Sequence, residues 1–147
     1  HGVRCFINDN IDIALLSCAD GVHVGQDDMA CAKARVMLGE GRIIGVSAHT
    51  IEEAVAAEAA GADYLGSGAA FPTNTKDVTG HYVTPEEYAA ITSAVKIPVV
   101  AIGGITRDNI SQLNGRGLAG VAVVSALFAE ADVEQAAREM RARCEKL

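Results

Sequence analysis

The sequence predicts an α/β fold built from repeated strand–helix units, and three observations support this prediction. Short apolar segments typical of strands begin near Val3, Gly21, Arg42, Asp63, Pro98 and Ala119. A helix-like segment follows each strand, and most strand starts are about 21 residues apart, the length of one βα unit. The strands are apolar without alternation, which is typical of parallel strands that are covered on both faces.

The ends of these strands favour a barrel over an open doubly wound sheet. Polar or glycine-rich residues follow strand after strand, and a (β/α)₈ barrel collects all of these ends around one mouth. No GxGxxG motif follows the first strand, which argues against a dinucleotide-binding sheet. A closed barrel needs eight units and about 250 residues, whereas the sequence shows six. We therefore predict a single domain over residues 1–147, a TIM-type barrel present as about six βα units.

Capping signals mark most of the helix boundaries. Thr50-Ile51-Glu52-Glu53 and Thr84-Pro85-Glu86-Glu87 predict capping boxes, the second with proline at the first helical position. Thr106 is expected to cap a helix that follows Gly103-Gly104. Glycines at three helix ends predict where the helices stop, namely Gly39, Gly61 and Gly115.

Composition excludes several classes of function. The net charge of −7 argues against a general nucleic-acid surface, and no apolar segment is long enough to span a membrane. No signal peptide is expected, and the chain begins within the first strand rather than at a methionine. The cysteines, Cys5 on a strand, Cys18 and Cys31 on helices, and Cys144, have no metal-ligand spacing. Free thiols of this kind predict a reducing compartment, the cytoplasm.

The longest interval between strands contains the most distinctive loop. It runs from Gly66 through Phe71-Pro72 to Thr73, Thr75 and Lys76, and long loops in compact repeats are often functional. Two hydroxyls, several amides and one cation suit a phosphate or pyrophosphate. A polar loop with turn residues is an equally good interpretation of this segment alone.

Two aspartates follow neighbouring strands and are candidate ligands for Mg²⁺. Asp9 ends the first strand and Asp28 lies just past the second, with Asp27 as a nearby competitor. Adjacent strands are about 4.8 Å apart, so two carboxylates at their ends can share one ion with water and a substrate phosphate. The alternative is helix capping, by Asp9 or Asn10 and by Asp27 or Asp28. His23, within the second strand, is interpreted as packed or hydrogen-bonded rather than catalytic.

The last two strand ends predict a phosphate site. Gly103-Gly104 and Val124-Ser125 each follow a buried strand and precede a helix, where amides and the helix dipole favour an anion. Adjacent amide-rich ends late in a barrel form the usual phosphate site of this fold. Tight strand-to-helix packing is the alternative. Ser47 can donate to an anion or cap the next turn.

Taken in order, these segments resemble thiamine phosphate synthases. The resemblance rests on seven segments that cover nearly the whole chain: Ile7-Asn8-Asp9, residues 21–28, Gly45-Val46-Ser47, residues 61–64, residues 71–76, residues 101–105 and residues 120–125. Each motif alone is weak, but the ordered set is specific. The family is a (β/α)₈ barrel of transferases that join an aminopyrimidine methyl pyrophosphate to a thiazole phosphate and release pyrophosphate.

The resemblance implies a role for each candidate residue. Mg²⁺ is expected at Asp9 and Asp28. The pyrophosphate is expected at Asn8, Ser47 and Lys76, and the thiazole phosphate at Thr73, Thr75, Gly103 or Gly104, Val124 and Ser125. The implied chemistry is dissociative: the pyrimidine methylene becomes a stabilised cation that the thiazole nitrogen captures. Such a reaction needs charge stabilisation and alignment more than a strong base.

The chain also departs from the family pattern. The family has a Gln-x-Arg-x-Lys-type motif at an earlier strand end, and none precedes Asn8. By matching units, the chain corresponds to units three to eight, with the first two missing, so we expect self-association or an N-terminal segment to cover the exposed strand edges. Two rivals remain open. One is the related thiazole tautomerase, which has a catalytic histidine where this chain has Gly68-Ala69-Ala70-Phe71. The other is a non-catalytic remnant that binds a phosphate.

Overall fold

The fold is described from a computed structural model that covers residues 2–73 and 82–147. Six strands form one sheet, and their spatial order is the order of the chain. The strands are β1 (Phe6–Asn8), β2 (Gly21–Val24), β3 (Ile43–Ser47), β4 (Tyr64–Gly68), β5 (Val99–Ile102) and β6 (Gly120–Ala122). Every neighbouring pair is parallel. A strictly sequential parallel order is that of a barrel wall, so the prediction of an incomplete (β/α)₈ barrel is confirmed.

Helical segments follow the strands in the predicted alternation. They are α1 (Ile11–Leu16), α2 (Cys31–Leu38), α3 (Ile51–Ala59), α4 (Pro85–Ala94), a 3₁₀ helix (Ile110–Leu113), α5 (Ser125–Phe128) and α6 (Val133–Cys144). Within residues 2–73 and 82–147, none of these helices combines the length and apolar character needed to cross a membrane.

Two of the sequence-based boundaries are wrong by a few residues, and both misplace a cysteine. The first strand begins at Phe6 rather than near Val3, so Cys5 precedes the strand. The backbone of Cys5 pairs instead with Asp20, whose carboxylate accepts from the Cys5 amide at 2.7 Å. Cys18 lies beyond the end of α1, with a positive φ of 53°. All four cysteines have free thiols.

The capping signals are confirmed in part. At α4 the box is complete, because the Thr84 hydroxyl accepts from the Glu87 amide and the Glu87 carboxylate accepts from the Thr84 amide. At α3 the Thr50 hydroxyl accepts from the Glu53 amide, but the Glu53 carboxylate accepts from the His49 amide instead. The side chain of Glu53 has turned one residue further back, so the predicted reciprocal pair is only half formed.

The predicted glycine stops are confirmed. Gly39, Gly61 and Gly115 follow α2, α3 and the 3₁₀ helix, and their φ angles of 72°, 91° and 71° are left-handed. This backbone region favours glycine because a Cβ atom is strained there. The glycines end the helices on the side of the sheet opposite the strand ends that carry the candidate site.

The core lies between the sheet and the helices that cover one of its faces. Alternate strand residues are fully or almost fully buried there, including Val22, Ile44, Leu65, Val99 and Ala101. The residues between them point to the opposite, concave face, because side chains alternate along a strand. On the concave face Phe6 is 37% exposed and Ile102 is 44% exposed. The concave face therefore forms the inner surface of an open half-barrel, and this surface is partly apolar.

Candidate functional site

The carboxyl ends of the six strands lie along one edge of the sheet, as the sequence predicts. The register sets their order: Asn8 pairs with His23 across β1 and β2, and Ser47 pairs with Gly66 across β3 and β4. Gly68 pairs with Ile102 across β4 and β5. Residues that are far apart in the sequence, such as Asn8 and Ser47, are thus brought to the same rim by the parallel topology.

Asp9 extends the first strand end in an unusual backbone conformation. Its φ is +65°, and its amide donates to the carbonyl of His23 at 2.7 Å. Asn10, not Asp9, caps α1, because its Oδ1 accepts from the Ile13 amide at 2.9 Å. Within the described residues the Asp9 carboxylate makes no hydrogen bond or ion pair. The capping interpretation of Asp9 is therefore wrong, and its carboxylate is available to a ligand.

Asp28 has a different local role. Its Oδ2 accepts from the Gly25 amide at 2.7 Å and closes the turn that follows β2. The N-cap position of α2 is Ala30, without a side-chain cap, so neither Asp27 nor Asp28 caps this helix. Asp28 is exposed, which leaves its second oxygen accessible. A backbone amide thus holds the Asp28 carboxylate just past the end of β2, whereas the Asp9 carboxylate at the end of β1 has no such hydrogen bond within the described residues.

Carboxylate oxygens at neighbouring strand ends are the kind of ligand that a hard divalent cation takes. No group of three or more His, Cys, Asp or Glu side chains in residues 2–73 and 82–147 is placed to hold a metal ion. Mg²⁺ often takes only one or two protein carboxylates and completes its shell with water and substrate phosphate oxygens. An ion at Asp9 and Asp28 would therefore depend on the substrate for part of its coordination.

A cluster around His23, which the sequence does not predict, connects the middle strand ends. His23 Nδ1 lies 3.0 Å from the Tyr64 hydroxyl, and Nε2 lies 3.1 Å from Ser47 Oγ. Gln26 Nε2 donates to the Ser47 carbonyl at 2.5 Å. The prediction that His23 is hydrogen-bonded is confirmed. The partners were missed because Ser47 and Tyr64 lie on two other strands, and only the tertiary structure brings them to His23.

The late strand ends are organised differently from the prediction. Gly103 and Gly104 have φ angles of +94° and +63°, but the space beside them is filled by the preceding loop. A Cβ on Gly104 would lie 2.5 Å from the carbonyl oxygens of both Phe71 and Pro72. The close packing predicted as the alternative is therefore real at this position. The Gly104 amide, however, donates to no acceptor within the described residues, so it remains available to an anion.

The predicted helix dipole behind Gly104 is absent from the described part of the chain. Thr106 caps no α-helix; its amide donates to Asn109 Oδ1 at 2.8 Å, and a 3₁₀ helix begins only at Ile110. Asn109 Nδ2 donates to the Gly104 carbonyl at 2.9 Å and fixes the loop. The propensity signal failed because Asn109 closes a side-chain-stabilised turn there. Any hydrogen bond from Gly104 to an anion must therefore be donated by its backbone amide.

The remaining candidates lie on both sides of this loop. Val124 and Ser125 follow β6 directly, where Ser125 begins the four-residue α5 and Val124 is 55% exposed. Thr73 is half-buried and lies just beyond the Phe71-Pro72 segment that contacts Gly104. Thr75 and Lys76 lie outside the described residues, so their assignments to phosphate and pyrophosphate stay predictions.

Comparison with known proteins identifies the family. The family model described as thiamine monophosphate synthase matches residues 1–127. The thiamine-phosphate synthase of Chlorobium luteolum is 48% identical over 141 residues, which is 96% of this chain and 66% of that protein. The thiamine-phosphate synthase of Methanobrevibacter smithii is 53% identical over 128 residues, which is 87% of this chain and 61% of that protein.

A solved structure shows the same relationship in three dimensions. The thiamine phosphate pyrophosphorylase of Pyrococcus furiosus superposes with a TM-score of 0.84 at 42% identity, covering 95% of this chain and 66% of that one. This chain thus spans about two thirds of the length of the relatives that it matches. The matched model covers far more than half of the chain. The chain belongs to the thiamine monophosphate synthase family.

Proposed function

We propose that this chain forms the greater part of a Mg²⁺-dependent thiamine phosphate synthase. The reaction breaks the bond between the pyrimidine methylene carbon and the pyrophosphate oxygen, and forms a bond from that carbon to the thiazole nitrogen. The observation that supports it best is the ordered set of strand-end groups: Asp9 at the first rim position, Asp28 at the second, Ser47 at the third and Gly104 at the fifth.

Each group has a defined task in this proposal. Asp9 and Asp28 would hold Mg²⁺, which neutralises the charge of the departing pyrophosphate. Asn8 and Ser47 would donate hydrogen bonds to the pyrophosphate, with Lys76 as the matching cation. The amide of Gly104, together with Val124, Ser125, Thr73 and Thr75, would surround the thiazole phosphate. Because charge separates in the transition state, fixed donors at the rim supply most of the catalysis.

The barrel of the complete enzyme needs more wall than these six strands provide. In the sheet, β1 and β6 are the two ends of the strand order and expose their outer edges. Unpaired parallel edges invite pairing with further strands. We expect two further βα units, from a longer polypeptide or from another chain, to cover these edges and to supply the basic residues that the family places at an earlier strand end. Self-association and a cytoplasmic location stay predictions.

The tautomerase alternative is disfavoured at one position. That reaction in the family uses a histidine in the loop after β4, whereas this chain has Ala69 and Ala70 there, both buried. The non-catalytic alternative is distinguished only by activity. Both alternatives are therefore resolved by the same assay, supplied in turn with the synthase substrates and with the tautomerase substrate.

The test compares the full-length protein, meaning this chain with any segments that flank it in its gene, with the 147-residue chain alone. We expect the full-length protein to form thiamine phosphate in a Mg²⁺-dependent reaction that a chelator abolishes. The 147-residue chain should lose activity by orders of magnitude, because the pyrophosphate lacks the basic residues that the family places at an earlier strand end. Each lost hydrogen bond to a charged group costs about 1.5–3 kcal/mol. Co-expression with the first two βα units of a related synthase should restore part of the rate. A monomer of these residues that turns over at an ordinary rate would refute the need for further units.

A further inference from the structure

His23 occupies the centre of a side-chain cluster on the concave face of the half-barrel. Its ring lies between Tyr64 on β4 and Ser47 on β3, with hydrogen-bond distances of 3.0 Å to the Tyr64 hydroxyl and 3.1 Å to Ser47 Oγ. All three side chains are half-buried, so solvent competes only partly with these hydrogen bonds. The cluster thus joins a phenol, an imidazole and a hydroxyl in one continuous line.

Two glycines make room for the rings of this cluster. A Cβ on Gly45 would lie 2.1 Å from the Tyr64 ring, and a Cβ on Gly66 would lie 2.8 Å from Cε1 of His23. The edge of Phe6 also packs against Tyr64, with ring centroids 5.8 Å apart in a T-shaped arrangement. Each ring therefore lies against the backbone of a glycine, in space that a side chain there would fill. The geometry of the His23 cluster is therefore built into the strands.

The two hydrogen bonds of His23 can be formed by either tautomer of its ring, and the tautomer decides which atom carries each proton. A neutral imidazole has one donor nitrogen and one acceptor nitrogen, and a hydroxyl can donate only one proton. Burial raises the pKa of Tyr64, so its phenol keeps its proton, and in one of the two tautomers it donates that proton to Nδ1 of His23. Nε2 then carries the ring proton and donates to Ser47 Oγ. The proton of Ser47 itself is left to point towards the mouth of the barrel.

We propose that His23 is a positioning residue that holds the Ser47 hydroxyl as a hydrogen-bond donor to the pyrophosphate. This inference rests on the proposed function, since it names how one of its donors is oriented. In the opposite tautomer Nε2 would accept the Ser47 proton, and only lone pairs of Oγ would face the anion. Tyr64 selects the productive tautomer, and Gln26 holds the Ser47 backbone through its hydrogen bond to the Ser47 carbonyl.

The first test reads the tautomer directly and does not depend on turnover. NMR of isotope-labelled histidine in the full-length protein, in mildly alkaline buffer, should show His23 with its proton on Nε2. The signal is assigned by its loss in His23→Gln. In Tyr64→Phe, which keeps the ring but removes the phenol proton, the signal should move towards a mixture of tautomers. A proton on Nδ1 in the wild-type protein, both free and with added inorganic pyrophosphate, overturns the proposal.

The second test is a double-mutant cycle in the synthase reaction of the full-length protein. Ser47→Ala and His23→Ala should each lower kcat about 10- to 100-fold, the effect of one lost hydrogen bond to a charged group. In the Ser47→Ala background, His23→Ala should cost less than about twofold more, because His23 acts through Ser47. His23→Gln, which keeps a donor near the Nε2 position, should retain more activity than His23→Ala.

The outcomes separate this inference from the proposed function. If wild-type protein has no synthase activity, the proposed function fails, and the NMR result alone decides the arrangement of the His23 cluster. If the wild type is active and the effects of the two alanine variants multiply, His23 acts independently of Ser47 and the inference fails. Circular dichroism and the Tm of each variant verify folding, and the wild-type NMR measurement stands even where a variant does not fold.

Discussion

The guanidinium of Arg35 on α2 contacts the carboxylate of Asp63, the residue just before β4, at 2.5 Å. The same guanidinium donates to the carbonyls of Gly39, Arg42 and Gly61, which end two helices and precede a strand. Asp63 in turn accepts from the Ile44 amide at 2.7 Å. Arg35 is only 15% exposed. It therefore joins α2, α3 and two strands on the side of the sheet opposite the candidate site, where barrel residues serve stability rather than catalysis.

Removal of Arg35 should destabilise the fold without changing the chemistry. Arg35→Ala leaves three backbone carbonyls without their donor and removes the ion-pair partner of the exposed Asp63, so we expect a loss of about 2 kcal/mol in the free energy of unfolding. Arg35→Lys should retain only part of the stability that Arg35→Ala loses, because an ammonium lacks the planar group of donors that serves several acceptors at once. The measurement is urea denaturation of the full-length protein. Arg138→Ala is the matched control.

Arg138 pairs with Glu134 one turn away on α6, and both side chains are more than 70% exposed. Exposed pairs of this kind contribute about 0.3–0.5 kcal/mol. If Arg35→Ala and Arg138→Ala have equal effects on the urea midpoint, the contacts of Arg35 do not stabilise the fold more than an exposed ion pair does.

Cys18 should be replaceable by glycine with a gain in stability. It ends α1 as Gly61 ends α3: in both places the next amide donates to the carbonyl five residues back, from Ala19 to Ala14 and from Ala62 to Ala57. This is a Schellman motif, whose left-handed position favours glycine. Cys18 occupies it with a φ of 53° and an exposed side chain. Cys18→Gly should therefore raise the free energy of unfolding by about 0.5–1 kcal/mol.

Two controls isolate the backbone effect at Cys18. Cys18→Ala removes the thiol and keeps the strain, so it should leave the thermal midpoint nearly unchanged. Gly61→Ala should lower the stability by about 1 kcal/mol, since its added Cβ meets nothing closer than 3.9 Å and only the backbone strain changes. A destabilised Cys18→Gly would contradict this account.

The carboxylates of Asp9 and Asp28 should set the Mg²⁺ requirement of turnover. Asp9→Asn keeps a residue type that tolerates the left-handed backbone, and Asp28→Asn keeps an oxygen that can accept from the Gly25 amide. Both should raise the Mg²⁺ concentration for half-maximal activity by about tenfold or more, because each removes one charged ligand. Asp27→Asn removes a neighbouring exposed carboxylate and should change the Mg²⁺ concentration for half-maximal activity by less than about twofold. The measurement is a Mg²⁺ titration of initial rates, and an unchanged titration for Asp28→Asn would remove it from the site.

Gly104→Ala should weaken binding of the thiazole phosphate by moving the loop beside it. The added Cβ meets the carbonyls of Phe71 and Pro72 at 2.5 Å, so the segment that leads to Thr73 must shift. Calorimetry of the full-length protein should show a loss of thiazole phosphate affinity of about tenfold or more.

Gly115→Ala controls for backbone strain alone, because its φ of +71° is similar and nothing lies within 4 Å of the new Cβ. It should cost about 1 kcal/mol of stability and leave ligand binding unchanged. Equal loss of affinity in the two variants would show that Gly104 has no special contact with the loop.

The local sequence alone determined the strands, most helix ends and the rim. The signals for these features act within a few residues of chain: apolar segments without alternation, threonine caps and glycine stops. Their pattern predicted all six strands. It also placed four candidate residues at strand ends, namely Asn8, Asp9, Ser47 and Gly104. The ordered motifs also predicted the family. These features are readable because they arise from backbone propensity and from periodic burial.

The contacts between these local elements depend on how the chain folds in three dimensions. The hydrogen bonds from Tyr64 through His23 to Ser47 join three strands. The contacts of Arg35 join two helices and two strands. No spacing in the sequence records such partners. The helix predicted after Thr106 was lost to a turn that the Asn109 side chain closes, and the space beside Gly104 was taken by a loop more than thirty residues earlier. In each case a hydrogen bond or a steric contact outweighed a local preference of about 1 kcal/mol.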